Sequence, residues 1–163
     1  TLFRSINGVE QCHSYFEAKD LFPEFLYFTG RKNYVYTLIA EKKSTVLWIP
    51  VHVLEEMLEK DQGLMYALLL YVCQRGLKDQ LYLNCLNYQT IRERIAYWIV
   101  GLHNLSPVES VHMPGSQLIL ANMLHVSRSS LNQELKLMQK DGYFKVRGRE
   151  MYELDEEKLN ALL

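Results

Sequence analysis

Polar side chains that could read DNA are concentrated near the C-terminal end of the 163-residue chain. Ser127 precedes an apolar repeat of helical spacing, so its hydroxyl is predicted to cap a helix whose N-terminus also attracts anions. Arg, Asn and Gln are the side chains that hydrogen-bond guanine and adenine edges in the major groove. This pattern predicts a base-reading surface on the first turns of the helix, made of Arg128, Ser129, Asn132 and Gln133.

Basic residues surround this surface. Lys136, Lys145, Arg147 and Arg149 are predicted to contact phosphates, which adds affinity but carries little sequence information. The overall net charge of −1 hides the arrangement, because residues 111–149 carry +4 and residues 150–163 carry −4. The remaining residues carry −1. Near-neutrality therefore does not exclude a nucleic-acid partner.

Other chemistries find little support in the sequence. Cys12, Cys73 and Cys85 form no CxxC pair and are interpreted as buried apolar side chains. The five histidines show neither HxxxH nor HxH spacing, which predicts no metal site. They are interpreted as surface or capping residues, with haem ligation by one of them left as an alternative. GxSxG, Walker-type and GxGxxG motifs are absent from the sequence, so we expect no cofactor, no catalytic residue and no enzyme.

The hydropathy pattern predicts a cytoplasmic protein without a membrane span. The longest strictly apolar run, Leu64–Cys73, is far shorter than a bilayer-crossing helix. No basic region followed by an apolar stretch opens the chain, so no signal peptide is predicted.

The elements that would position the base-reading residues follow the order of a winged helix-turn-helix. Two helices are predicted over Ser116–His125 and Ser127–Gln139, and two strands over Tyr143–Val146 and Glu150–Leu154. Asp155 is predicted to cap a last helix. The alternative is an ordinary solvated face on a small helical domain. The predicted buried positions are Leu118, Ile119, Leu124, Val126, Leu131, Leu135 and Met138.

A long helical pattern precedes this unit. A short helix is predicted over Val51–Glu59, and apolar residues then recur in steps of three and four from Gln62 to about His103. This spacing predicts a homodimer seam, with a break near Asn84–Tyr88. The alternative is a broken helix buried within one chain. The seam residues are Leu70, Cys73, Leu77, Leu81, Asn84 and Tyr88.

The first fifty residues are predicted to form strands. Leu2–Ile6 and Val9–Phe16 flank Asn7-Gly8, a strong hairpin signal, and Tyr34–Ile39 and Thr45–Ile49 form a second predicted pair. The aromatic residues of 22–28 are interpreted as core, with a ligand pocket as the alternative. The predicted class is α+β, with an effector-type domain over 1–50, helices over 51–104 and a DNA-binding domain over 105–163.

Several of these segments resemble one family. Val126–Leu131 and Leu135–Met138, with Ala121, resemble the helix-turn-helix of the Crp/Fnr (catabolite-activator) family of bacterial transcription regulators. Ile91–Ala96 is similar to the junction between that family's long dimer helix and its DNA-binding domain. Phe22–Glu24 and Tyr34–Ile49 look like the last strands of its cyclic-nucleotide-binding β-roll.

The resemblance implies a regulator that acts as a homodimer on double-stranded DNA and works with RNA polymerase. It also implies a partial β-roll, whose first several strands this chain lacks. A dimeric protein-interaction module with a winged helix that does not bind DNA is the alternative function.

Departures from the family bear on its effector. The residue that holds the cyclic phosphate falls on Tyr34, which cannot supply the hydrogen bonds of an arginine. Glu24 keeps the ribose-binding carboxylate, whereas Asp79 and Gln80 replace the pair that meets adenine. The resemblance therefore argues against cyclic AMP and leaves the effector unidentified.

Departures in the helix-turn-helix bear on the operator. The family's guanine-reading arginine falls on Arg128, but Ser129 and Gln133 replace a glutamate and an arginine that read other bases. The preferred operator is therefore expected to differ at those base pairs. His125 stands where the family has a turn glycine, and a left-handed histidine is tolerated better than most residues.

Overall fold

The computed structural model describes residues 2–6, 9–22, 26–31, 33–34, 37–40, 42–105 and 110–163. For 2–6 and 9–14 it describes the backbone alone. Helices dominate these residues, and two small sheets lie toward the two ends of the chain. The predicted α+β class is confirmed.

The N-terminal sheet has three strands. β1 (Leu2–Ile6) pairs with β2 (Val9–Ser14) on one side and with β3 (Thr37–Leu38) on the other, antiparallel in both cases. Ile6 faces Val9, so the hairpin predicted from Asn7-Gly8 is present, although that dipeptide lies outside the described residues. A one-turn helix, α1 (Leu26–Thr29), separates β2 from β3.

The second predicted strand pair is wrong. Thr45–Ile49 forms no strand, and β3 pairs with β1 instead of with that segment. A strand needs a neighbour for its backbone hydrogen bonds, and β-branched composition alone does not supply one. The segment is exposed, with 85% of Leu47 and 73% of Trp48 accessible to solvent.

Three helices follow: α2 (Val51–Lys60), α3 (Gln62–Cys85) and α4 (Ile91–Leu105). Asp61 caps α3 by accepting a hydrogen bond from the backbone N–H of Leu64 at 3.0 Å. The predicted break is present, because residues 86–90 separate α3 from α4.

A capping box opens α4. Thr90 Oγ1 accepts from the N–H of Glu93 at 3.2 Å, and Glu93 Oε2 accepts from the N–H of Thr90 at 3.0 Å. The backbone N–H of Thr90 lowers the pKa of Glu93.

The C-terminal unit has the order of a winged helix-turn-helix. It comprises β4 (Ser110–His112), α5 (Gln117–Met123), α6 (Arg128–Lys140), β5 (Lys145–Arg147), β6 (Glu150–Tyr152) and α7 (Glu156–Asn160). Its strand order is β4-β6-β5, all antiparallel. β4 was not predicted from the sequence. It has only three residues, which are too few to show the alternation of apolar and polar residues that is typical of a strand.

One core joins α4 to the C-terminal unit. Trp98 and Ile99 of α4 are fully buried in the same cluster as Leu131 and Met138 of α6 and Leu159 of α7. α4 therefore packs as part of the C-terminal unit that contains α6. The start of the DNA-binding domain at residue 105 stays a prediction. Leu118, predicted to be buried, is 47% exposed, so that prediction is wrong.

Half of the predicted dimer seam faces α4 of the same chain. Leu81 is buried against Gly101, where an added Cβ would collide with Leu81 Cδ1. Asn84 donates to the hydroxyl of Tyr97 at 3.4 Å, and the rings of Tyr88 and Tyr97 lie 5.0 Å apart. The break at 86–90 lets α4 pack against the end of α3, which buries residues that an unbroken helix would present to a partner.

The other half of the seam is open. Leu70, Cys73 and Leu77 are exposed on α3. The expectation that Cys73 is buried is therefore wrong, whereas Cys85 is fully buried. Burial raises the pKa of the Cys85 thiol to about 12.

Candidate nucleic-acid interface

The base-reading residues lie on α6, whose N-terminus is fixed by Ser127. The hydroxyl of Ser127 accepts a hydrogen bond from the N–H of Ser130 at 3.0 Å. It also lies 2.9 Å from the hydroxyl of Ser129 and 2.7 Å from that of Ser130. The predicted cap is therefore present, and three hydroxyls gather at the end of the helix where an anion would be attracted.

Burial of one face of α6 decides which side chains point outward. Leu131, Leu135 and Met138 recur at helical spacing and are buried in the core. The opposite side is called the reading face here. Its Arg128, Ser129 and Gln133 are exposed, and Asn132 is half-buried.

Two cations on α6 have donors available. Arg128 and Lys136 are exposed, and neither makes a hydrogen bond or ion pair with another side chain or backbone group that the structure describes. A ligand would therefore not have to displace a protein partner from them.

The turn before α6 is held in a left-handed conformation. His125 has φ of 55°, as expected for the position of the family's glycine. The N–H of Val126 donates to the carbonyl of Ala121 at 2.9 Å, and Ala121 is fully buried. The small side chain lets the two helices approach each other at this turn.

Arg94 fastens the same turn to the α3–α4 junction. Its Nη1 donates to the carbonyl of Leu124 at 2.8 Å, and its Nε donates to the carbonyl of Tyr88 at 2.9 Å. Arg94 thereby connects the turn after α5 to the α3–α4 junction, although Leu124 lies 30 positions from Arg94 in the sequence.

Arg92 holds α6 itself. Its Nε lies 2.6 Å from Glu134 Oε1, and its Nη1 lies 3.1 Å from Asp141 Oδ2. The guanidinium carbon is 5.6 Å from the centre of the Tyr143 ring. The hydrogen bond to Glu134 raises the pKa of Arg92.

Neither Arg92 nor Arg94 was predicted from the sequence to be a functional residue. One signal in the sequence could have indicated Arg92. Glu134 and Asp141 lie seven residues apart, which is about two helical turns, so their carboxylates share one face and would be stabilised by a nearby cation.

The wing cations already have carboxylate partners. Lys145 pairs with Glu153 at 2.5 Å and Arg147 pairs with Glu150 at 2.9 Å. Glu153 raises the pKa of Lys145, and Arg147 lowers the pKa of Glu150.

Arg149 contacts two groups. It donates to the carbonyl of Gly115 at 3.2 Å and lies 3.5 Å from Glu17. Exposed pairs of this kind contribute little, so phosphates could replace the carboxylates at small cost.

The predicted effector residues are less well defined. Glu24 lies outside the described residues, Tyr34 is exposed between α1 and β3, and Asp79 and Gln80 lie on α3. A small cavity of about 110 Å³ lies between α4 and α7, and none of these residues lines it. Within the described part of the chain, no three His, Cys, Asp or Glu side chains cluster in a way that could hold a metal ion.

A transmembrane helix needs about 20 consecutive, mostly apolar residues. Among the helices that the structure describes, none is long and apolar enough to cross a membrane.

Comparisons with known proteins identify one domain in the C-terminal part of the chain. Residues 93–162 match the family model of the Crp-like helix-turn-helix domain. A transcriptional regulator of the CRP family from Thermus thermophilus is 20% identical over 63% of this chain and 54% of its own, with a TM-score of 0.46. A Crp/Fnr-family protein from Eubacterium rectale is 15% identical over 70% of this chain and 52% of its own, with a TM-score of 0.43.

The chain thus spans about half the length of these two solved structures. No curated protein matches it. The matched domain begins within α4 and ends within the last two residues of the chain, so it includes α5, α6 and the wing. The family match therefore shows that residues 93–162 form a Crp-like helix-turn-helix domain.

Proposed function

We propose that the protein is a sequence-specific DNA-binding transcription regulator that acts as a homodimer, with α6 in the major groove. The observation that carries the proposal is the reading face of α6. Polar side chains suited to base edges project from a helix whose opposite face is anchored in the core.

Each residue of the interface has a role in this proposal. Arg128 pairs with guanine, while Ser129, Asn132 and Gln133 contact neighbouring bases. Lys136 reaches a phosphate directly because no described group binds it. The remaining phosphate contacts come from the cap and the wing, at Ser127, Lys145, Arg147 and Arg149.

The open half of the seam supports the homodimer. Leu70, Cys73 and Leu77 lie on one face of α3 at steps of three and four, and all three are exposed. A two-fold dimer that buries them against a second copy would carry two reading faces. Recognition helices about 34 Å apart would then enter successive major grooves of a pseudo-palindromic site.

Regulation is proposed to run through α3. In this scheme residues 1–50 sense an effector other than cyclic AMP, residues 51–104 transmit its binding, and residues 105–163 bind DNA. Binding of the effector would shift the equilibrium between two arrangements of the dimer. The effector site and the DNA-binding domain would both act on this equilibrium through α3. RNA polymerase is the proposed partner on DNA, and the cytoplasm is the proposed location.

Selection of bound sites from random duplex DNA tests the function. The expected result is an enriched two-fold-symmetric sequence whose affinity falls steeply as salt increases. Absence of DNA retention even at low ionic strength would overturn the proposal and favour the protein-interaction module.

A further inference from the structure

The basic segment 111–149 contains two acidic residues, Glu134 and Asp141. Both belong to the α6 region, one within the helix and the other directly after it. A helix that enters a groove of DNA passes between two rows of phosphates, so carboxylates on it would be repelled. The position of these two acids therefore requires a physical account.

A single cation from outside the segment binds both acids. Arg92, in the first turn of α4, contacts Glu134 at 2.6 Å and Asp141 at 3.1 Å. The contact with Glu134 is sheltered, with 30% of the Arg92 side chain and 20% of the Glu134 side chain exposed. The guanidinium carbon of Arg92 also lies over the Tyr143 ring, 5.6 Å from its centre, where a cation is attracted to the ring face.

We infer that Arg92 is a positioning residue for DNA binding that holds the carboxylates of Glu134 and Asp141 toward α4 and offsets half of their charge, so that they repel DNA less. The inference rests on the proposed function. Arg92 makes no contact with DNA in this account, and it acts through Glu134 and Asp141. The fork of an arginine suits the role because one side chain reaches two carboxylates at once.

The expected effect follows from through-space repulsion. Removing Arg92 changes the summed charge of Arg92, Glu134 and Asp141 from −1 to −2. For one unit charge at a distance of about 8 Å from a phosphate in water, this would weaken binding about twofold. The loss should be equal on all DNA sequences, because no base contact changes. It should shrink as salt rises, because the screening length falls to about 8 Å at physiological ionic strength.

Fluorescence anisotropy with a labelled random duplex at low salt tests the inference. Arg92→Gln should bind about twofold more weakly than the natural protein. Arg92→Gln/Glu134→Gln/Asp141→Asn should bind about fivefold more tightly than Arg92→Gln, because the summed charge is then 0 instead of −2. Glu134→Gln/Asp141→Asn alone should bind more tightly, since Arg92 is then an uncompensated cation. Lys60→Gln, which removes a cation from an exposed pair on α2, is the matched control and should change nothing.

Thermal unfolding of the same variants separates charge from packing. The triple variant lacks the ion pairs, so its midpoint should stay lowered while its DNA affinity recovers. A triple variant that binds as weakly as Arg92→Gln would overturn the inference, as would unchanged binding by Arg92→Gln. If Arg92→Gln does not fold, the double variant Glu134→Gln/Asp141→Asn decides the test by itself. Weaker DNA binding by this variant than by the natural protein would then overturn the inference. If the natural protein binds no DNA at low salt, the proposed function fails as well.

Discussion

The guanidinium of Arg94 donates a hydrogen bond to the backbone carbonyl of Leu124 at 2.8 Å. Leu124 ends α5 and precedes the left-handed His125, so this bond fixes the turn that aims α6. The same side chain holds the carbonyl of Tyr88 in the α3–α4 junction. If α3 moved relative to α4, Arg94 would therefore transmit that movement to the turn before α6.

Arg94→Ala is expected to destabilise the fold by about 2–4 kcal/mol, because two charge-assisted hydrogen bonds are lost and two carbonyls lose their partner. Urea unfolding followed by circular dichroism measures the change. Lys60→Ala, which breaks only an exposed pair, is the control and should cost less than about 1 kcal/mol. Equal losses for the two variants would contradict the role of Arg94.

The two halves of the seam should respond differently to substitution. Leu77→Glu places a charge on an exposed position of the proposed dimer face, so the protein should become monomeric while remaining folded. Leu81→Ala instead leaves a cavity in the core and should cost about 2–5 kcal/mol. Analytical ultracentrifugation reports the first change and urea unfolding the second.

Leu83→Glu is the control for dimerisation, because Leu83 is exposed outside the seam spacing and should leave the oligomeric state unchanged. A dimer that persists in Leu77→Glu, over a range of concentrations, would contradict the proposed interface.

The cysteines should differ sharply in reactivity. The reactive species is the thiolate, and burial raises the pKa of Cys85 to about 12, so almost none forms at neutral pH. Cys73 is exposed on α3. In a Cys12→Ser/Leu77→Glu background, in which the proposed dimer contact is lost and Cys73 stays exposed, an aromatic disulfide reagent at pH 8 should therefore label one thiol per chain rapidly. The second thiol should react only when the protein unfolds. Rapid labelling of Cys73→Ser at Cys85 would show that the packing of α3 on α4 is different.

Local signals in the sequence predicted the helix caps of the C-terminal unit, although β4 and the exposure of Leu118 were missed. Ser127 and Asp155 were predicted as caps because a short polar side chain precedes a helical repeat, and both accept the expected backbone hydrogen bond. The left-handed His125 was expected from the family resemblance, which places a turn glycine at this position. These features depend on residues that are near each other in the chain.

Features that depend on distant residues were missed or misassigned. Arg92 meets Glu134 across 42 positions, and no periodicity in the sequence reports such a contact. Leu81 has the spacing of a dimer seam, but the break at 86–90 places α4 over it. Thr45–Ile49 has strand-forming residues, yet strand formation depends on a neighbouring strand that the local sequence cannot specify.

The phosphate-contacting cations should contribute unequally. Lys136→Ala is expected to weaken binding to every duplex and to lower the slope of affinity against salt by about 1. Lys145→Ala should have a smaller effect, because Lys145 must first leave Glu153. Salt titrations with a random duplex measure both slopes. A larger change for Lys145→Ala than for Lys136→Ala would contradict the availability of Lys136.

The central claim is that the reading face of α6 recognises bases, and Arg128→Ala tests it most directly. Its affinity should be measured for a site selected from random DNA and for a random duplex of the same length. The account predicts a loss of about 1–3 kcal/mol on the selected site, relaxed preference at one base pair, and a much smaller loss on random DNA. Equal losses on the two duplexes would contradict it, because Arg128 would then contact only phosphate.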